Sequence, residues 1–467
     1  MSTRPALRSL PVMAVAAVGL TACLSILLDP RLAVVATAGI GLGWAGLKRP
    51  RLLVLGIFGA ILFDRIGVTG ARVAQLPVTA SKLAVLGSIG LWVVHVGLTR
   101  RPVFRIHPVL GTMLGMTLVT GLAVTFSGDF DAGRYTLLGV GMVTVLTGLI
   151  HVILAEEDLT GTYRVLGILL TAAMATSLLA GAASQSGRAT GTFGDPNEWA
   201  TLILMVTPIL LGGLATDPHP WVRLLRVALL GLAPLAVFSS GSRAALLVGT
   251  VVAAGCIHLL WQRRSEVFVC MGAGVVAAPF VVDLAQARER FSRLINRLSG
   301  TGMVDDGSLD ERGELMRQGV DLFVDHWLLG VGPGNFARAT GFISLDGHLR
   351  PAHNTYLEVA CEQGLLGILA IIIFMVTVAR TLQRALAAAP DGHHRSRVLG
   401  LALGMLAVSI MGATLGLLTF SMTYLMLGLA LAVTDQAIAA ATHTPSSHPR
   451  ADQSMLSGLR ARREHAR

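Results

Sequence analysis

Three side chains in this sequence can do chemistry together. Arg188 sits in "SQSGRATGTFGDPNEWA" (184–200), Arg243 in "SSGSRAALL" (239–247) and His353 in "RPAHNTYLEVACEQGLLG" (350–367). A guanidinium grips two phosphate oxygens at once, and Gly187, Gly191 and Gly194 beside Arg188 let backbone approach a ligand closely. An imidazole takes a proton near neutral pH, which suits a general base. Each residue also has an ordinary reading. An arginine at the end of a membrane span anchors it among headgroups, and a lone histidine there is a surface or structural group.

No acidic pair, cysteine nucleophile or metal-ligand spacing accompanies the three, and neither a Walker A nor a dinucleotide fingerprint occurs. Such a set suits an anionic substrate with a good leaving group, for example a diphosphate. Fixed positive charge would stabilise its departure, so neither a metal nor a cofactor is expected. Asn197, Asn354, Tyr356 and Glu358 fit hydrogen-bonding support or helix caps; Arg312 and Arg317 fit helix-surface or headgroup contacts, with Arg312 also a candidate supporting group of the site.

The elements that must position these groups are membrane spans. The chain has 467 residues, 53% hydrophobic and 14% charged, with a mean hydropathy of +0.68. Soluble domains carry about 25% charged residues, so the composition is that of an integral membrane protein. Apolar runs rich in Gly, Ala and Leu recur without period-2 alternation, which implies helices rather than a β-barrel. Spans are expected near 11–28, 32–47, 52–63, 83–98, 108–126, 135–154, 163–181, 199–216, 222–238, 243–261, 267–284, 356–379, 398–415 and 418–436. The fold class is therefore all-α and polytopic, with about 12–14 transmembrane helices. The first run reads as a retained span rather than a signal peptide.

The cysteines (Cys23, Cys256, Cys270, Cys361) all fall in apolar runs, so no disulfide framework is expected. The net charge of +10 is scattered through short connections, a topology signal rather than a nucleic-acid-binding face. Basic residues concentrate in alternate connections: Lys48 to Arg51, Arg100 to Arg105, Arg223 and Arg226, Arg263 and Arg264, Arg380 to Arg397, and the tail "LRARREHAR". This pattern puts both termini in the cytoplasm and turns 184–200, 239–242 and a long excursion at 285–355 outward. Arg188, Arg243 and His353 then share one membrane face.

The excursion has its own order. Phe291, Leu294, Ile295 and Leu298 recur at helical spacing with arginines largely off that stripe, the pattern of a helix lying in the interface. A second helix starts at Ser308, with Glu311 completing a capping box, and ends at "LLGVGPGNF" where glycines force a turn. The chain divides into N-terminal spans (1–183), a core (184–380), C-terminal spans (381–440) and a basic tail (441–467).

With "GRATGTFGDPNEWA", "SGSRAALL", "RGELMRQGVDLFVDHWLLGVGPGNF" and "HNTYLEVACEQGLLG" in that order, the chain resembles the bacterial O-antigen ligase/polymerase superfamily over roughly 184–370. The resemblance implies a metal-independent, inverting membrane glycosyltransferase of the cytoplasmic (inner) membrane, with its active site facing the periplasm or exterior. Its donor would be a polyprenyl-diphosphate-linked glycan and its acceptor a hydroxyl of a glycan or lipid. Carried over, Arg188 and Arg243 would hold the diphosphate and His353 would act as the base. Ligase and polymerase share these motifs, so the two stay open. A lipid-linked oligosaccharide flippase or other transporter is the alternative. Transporters place charges along a pathway within the spans, whereas the mid-span positions here are nearly free of them.

Overall fold

A computed structural model of the chain describes residues 45–46, 48–62, 72–73, 76–77, 80–99, 106–182, 189–191, 195–261, 265–266, 307–343 and 349–443. The spans expected at 11–28 and 267–284, most of that at 32–47, and the interface helix near 285–300 lie outside these residues. The described residues form thirteen helices and one short antiparallel ribbon, β1 (Arg72–Val73) with β2 (Leu76–Pro77).

The helices are α1 (Arg51–Leu62), α2 (Ala80–Thr99), α3 (Pro108–Thr125), α4 (Phe130–Leu154), α5 (Leu159–Ala182), α6 (Pro196–Leu214) and α7 (Pro220–Ser240). They continue with α8 (Arg243–Leu259), α9 (Gly307–Asp325), α10 (Phe336–Thr340), α11 (Thr355–Ala388), α12 (Gly392–Met411) and α13 (Ser421–His443). Seven of them, α3 to α7, α11 and α13, are long and apolar enough to cross a membrane. The starts follow local chemistry. Pro108, Pro196 and Pro220 open α3, α6 and α7, where a missing N–H costs nothing, and Asp129, Asp195 and Ser242 cap α4, α6 and α8.

The span expected at 398–415 is displaced. Helix α12 begins earlier because the Asp391 side chain accepts the His394 N–H at 2.8 Å, and it ends at Met411 in a run of turns. Helix α6 is the centre of the bundle, buried from Trp199 to Leu214. It meets α12 backbone to backbone, since a Cβ on Gly212 would lie 3.0 Å from the Gly400 Cα. The innermost helix thus carries at its N-terminus the loop that contains Asp195.

Hydrogen bonds sort the connections between helices into two ends of the bundle. At one end Asn335 Nδ2 donates to Ser127 Oγ at 2.8 Å, Arg338 pairs with Asp129, and Thr355 N donates to Gly412 O and Leu415 O at 2.8 and 3.0 Å. At the other, Gln436 Nε2 donates to the carbonyls of Leu154 and Glu157, Arg164 grips Asp217 at 2.7 and 2.9 Å, and Arg226 grips Glu266 twice at 2.8 Å. Because successive helices alternate in direction, residues 189–191, 240–243 and 349–355 all fall at the first end.

Candidate functional site

His353 stands one residue before the cap of α11, and its backbone is unusual. Its φ of 48° is the only positive value at a non-glycine among the described residues. Left-handed backbone costs an L residue roughly 1–2 kcal/mol, so the neighbours must impose it. They do. Asn354 caps α11, its Oδ1 accepting from Tyr356 N at 3.0 Å and Leu357 N at 3.2 Å. Thr355 Oγ1 donates to Leu415 O at 2.6 Å and accepts from Leu417 N at 2.8 Å, pinning the helix start to the α12–α13 turn. The backbone that bears the imidazole is thereby pinned on both sides of the helix start.

The electrostatics around it are mixed. Burial, then the positive charge of Arg312, holds the His353 imidazole below the usual histidine range; Arg350 adds to this, and Asp195 and Glu311 oppose it. Helix α9, the loop before α6 and the start of α11 therefore converge on His353. The downward shift favours the neutral imidazole, the form a base requires.

The loop that carries Arg188 reaches the turn that carries Arg243. Ala189 N donates to Ser239 O at 2.9 Å, and Gly191 N donates to Ser177 Oγ at 3.1 Å. Gly191 has a φ of 56° and lies against the Trp199 ring, so no side chain fits there. Arg188 itself lies outside the described residues. Arg243 is the first residue of α8 and is exposed, at the same end of the bundle as His353.

The supporting residues differ from expectation in part. Asn354 is a cap, one of the two roles open to it. Asn197 is not: Asp195 caps α6, its Oδ1 accepting from Asn197 N at 2.6 Å and Glu198 N at 3.3 Å. Tyr356 gives hydrogen-bonding support, donating its hydroxyl to Ser409 O at 2.5 Å and tying α11 to α12. Arg312 is within electrostatic reach of the imidazole, where its charge lowers the His353 pKa.

Glu362 was not singled out in the sequence. It is buried, and its carboxyl group accepts from Gly334 N at 2.8 Å and Phe336 N at 3.0 Å. Around it α11 breaks at Gly364 (φ 62°, ψ −153°), and the loop after α9 docks into the break. There Val331 N donates to Cys361 O at 2.9 Å, Gly332 N to Glu362 O at 3.0 Å, and Leu365 N to Trp327 O at 2.7 Å. Gly330, Gly332 and Gly334, the expected turn formers, all have positive φ. The available signal was the pair of runs "GVGPG" and "EQGLLG", each with glycines at close spacing.

Spans carry charge chiefly near their ends. The buried pair Arg226–Glu266 and the pair of buried His151 with half-buried Asp435 lie towards the end of the bundle opposite His353. Among the described residues no group of three His, Cys, Asp or Glu side chains has metal-site geometry.

A family model described as O-antigen ligase matches residues 227–372, a stretch that holds Arg243, Arg312, His353, Asn354 and Tyr356. A comparison with curated proteins finds no match. The family match supports membership of the O-antigen ligase/polymerase superfamily, and with the seven long apolar helices it supports a membrane glycan ligase or polymerase.

Proposed function

We propose that this multi-pass membrane protein, matched over residues 227–372 by the O-antigen ligase family, transfers a glycan from a polyprenyl diphosphate to an acceptor hydroxyl outside the cytoplasmic membrane. The observation that carries the reading is His353: half-buried, backbone-strained, its pKa lowered by burial, and set at the bundle end that also carries Arg243. An ordinary surface histidine needs none of these.

In this mechanism Arg188 and Arg243 hold the donor diphosphate with paired N–H groups and offset its charge. His353 takes the proton from the acceptor hydroxyl. The acceptor oxygen forms a bond to the anomeric carbon as the carbon–oxygen bond to the diphosphate breaks, and the polyprenyl diphosphate leaves with the bonding electrons. One displacement from the opposite side inverts the anomeric configuration. The charge that a metal would otherwise neutralise is met by guanidinium groups, so transfer proceeds in chelator. The acceptor is a glycan or lipid hydroxyl.

The test is transfer in liposomes that contain only this protein, with donor and acceptor supplied on the face where His353 lies. Product formation in EDTA supports the proposal. Movement of the donor across the bilayer with no new glycosidic bond would make the protein a transporter.

A further inference from the structure

Helix α9 has three longitudinal faces. Leu315, Gly319, Leu322 and Phe323 pack on the protein: Gly319 O accepts from Cys361 Sγ at 3.0 Å, and Leu315 is buried with Phe336, Ala352 and Cys361. Glu314, Arg317 and Asp321 form a second face, an exposed salt-bridged row with contacts of 2.7 and 3.2 Å. Between these two lies a third. Met316, Val320, Val324 and Trp327 follow one another at helical spacing and are 48%, 50%, 63% and 55% exposed, with Leu328 at 47% beside them. An apolar row this long is costly in water.

What covers the row follows from where it ends. Trp327 O accepts the N–H of Leu365, and from Leu365 α11 presents its own exposed row of Leu369, Ile372, Ile373 and Val376. That second row belongs to a helix long and apolar enough to cross the membrane, so it faces acyl chains. Counting about 20 residues back from Arg380, the first basic residue towards the far end of α11, reaches the region of the Gly364 break. Trp327 therefore lies near the level at which α11 enters the hydrocarbon, where tryptophan is enriched. One face on protein, one apolar and one charged is the arrangement of a helix at the rim of a membrane protein, in contact with protein, lipid and water at once.

We propose that α9 rests on the bilayer, with Val320, Val324, Trp327 and Leu328 in the leaflet on the His353 side. On the functional reading above, this contact has a consequence. Arg312 is on the same helix and acts on His353, so the membrane surface itself would set the height of the site relative to a lipid-borne diphosphate.

The experiment places an environment-sensitive fluorophore on single cysteines at Val320, Val324, Glu314 and Asp321 of the full chain in phospholipid nanodiscs. The wild-type chain carried through the same labelling supplies the background. Labels at Val320 and Val324 are expected to emit blue-shifted and to lose most of their intensity to nitroxides on the acyl chains. Those at Glu314 and Asp321 should instead be quenched by aqueous iodide. Iodide quenching at all four sites would overturn the proposal. Shielding of Val320 and Val324 from both quenchers would also overturn it, since a second copy or another protein would then cover the row. The readout needs no turnover, so it stands apart from any failure of the transferase reading.

Discussion

One oxygen of the Glu362 carboxyl group accepts the Phe336 N–H at 3.0 Å, and the other accepts from Gly334 at 2.8 Å. A side chain of α11 thus satisfies the backbone of a glycine-rich loop that would otherwise bury orphan donors. The interlock continues through the main chain, where a Cβ on Gly330 would strike the peptide between Glu362 and Gln363. These contacts join α9, and with it Arg312, to the helix that starts just after His353.

Glu362→Gln should therefore destabilise the protein without touching substrate. An amide turns one oxygen into an N–H facing a donor, a cost of about 1–3 kcal/mol for a buried unmatched group. The measurement is thermal unfolding in detergent, with a lowered Tm expected. Gly330→Ala should be worse, because a φ of 71° and a backbone clash act together. An unchanged Tm in both would mean that the loop docks by other means.

The two ends of the bundle give a topological prediction. Gly128 is exposed at the end that carries His353, with nothing within 4 Å of an added Cβ, and Glu156 is exposed at the other. Gly128→Cys should react with a membrane-impermeant maleimide on intact cells, and Glu156→Cys only after permeabilisation. The reverse pattern would place His353 in the cytoplasm and end the transferase proposal.

Much of the bundle was legible because spans are long, apolar and punctuated. The apolar runs alone put the starts of α3, α6 and α7 within three residues of where they fall, and Asn354 takes the cap role, one of the two its position allowed. The break at Gly364 was not legible. "EQGLLG" reads as ordinary close-packing helix until a second loop supplies carbonyl and N–H partners, and that loop lies about thirty residues away in sequence. The same holds for Asn197 and Asp195. Both are cap-forming residues on either side of Pro196, and only the helix start selects between them.

Arg312 gives a pH prediction. Its charge disfavours the imidazolium of His353 and helps hold the pKa below the usual value, so wild-type activity falls only when the pH drops through that lowered value. Removing the charge as Arg312→Gln lets the imidazole keep its proton to higher pH. The acid limb of the kcat/KM profile should move upward, with the rate well above it much less affected. A uniform loss at every pH would point to Arg312 touching substrate instead.

The diphosphate contacts predict a charge-conserving failure. Arg188→Lys and Arg243→Lys each keep the positive charge but lose the planar pair of N–H groups. Losing one charge-assisted hydrogen bond, about 1.5–3 kcal/mol, should slow transfer about 10- to 150-fold at normal expression. Near-normal transfer by both lysine variants would reduce these arginines to membrane anchors.

His353 carries the sharpest prediction, because two different substitutions separate its chemistry from its backbone. Removing a general base typically costs 10²–10⁴-fold, so His353→Ala should abolish most transfer. The arginines still hold the phosphates in that variant, so donor binding should stay nearly intact. The left-handed φ complicates the loss, since alanine is strained there as well. His353→Asn controls for this, because asparagine tolerates left-handed backbone but cannot take the proton. Both variants should be inactive, with Asn the better folded by Tm. His326→Ala removes an exposed histidine from the end of the α9 segment and should be mild. The product's configuration is the second arm of the same test. A base-assisted single displacement inverts the anomeric centre, so an NMR coupling pattern showing retained configuration would rule this mechanism out. Full turnover by His353→Asn would leave the strained histidine a structural feature of the helix start.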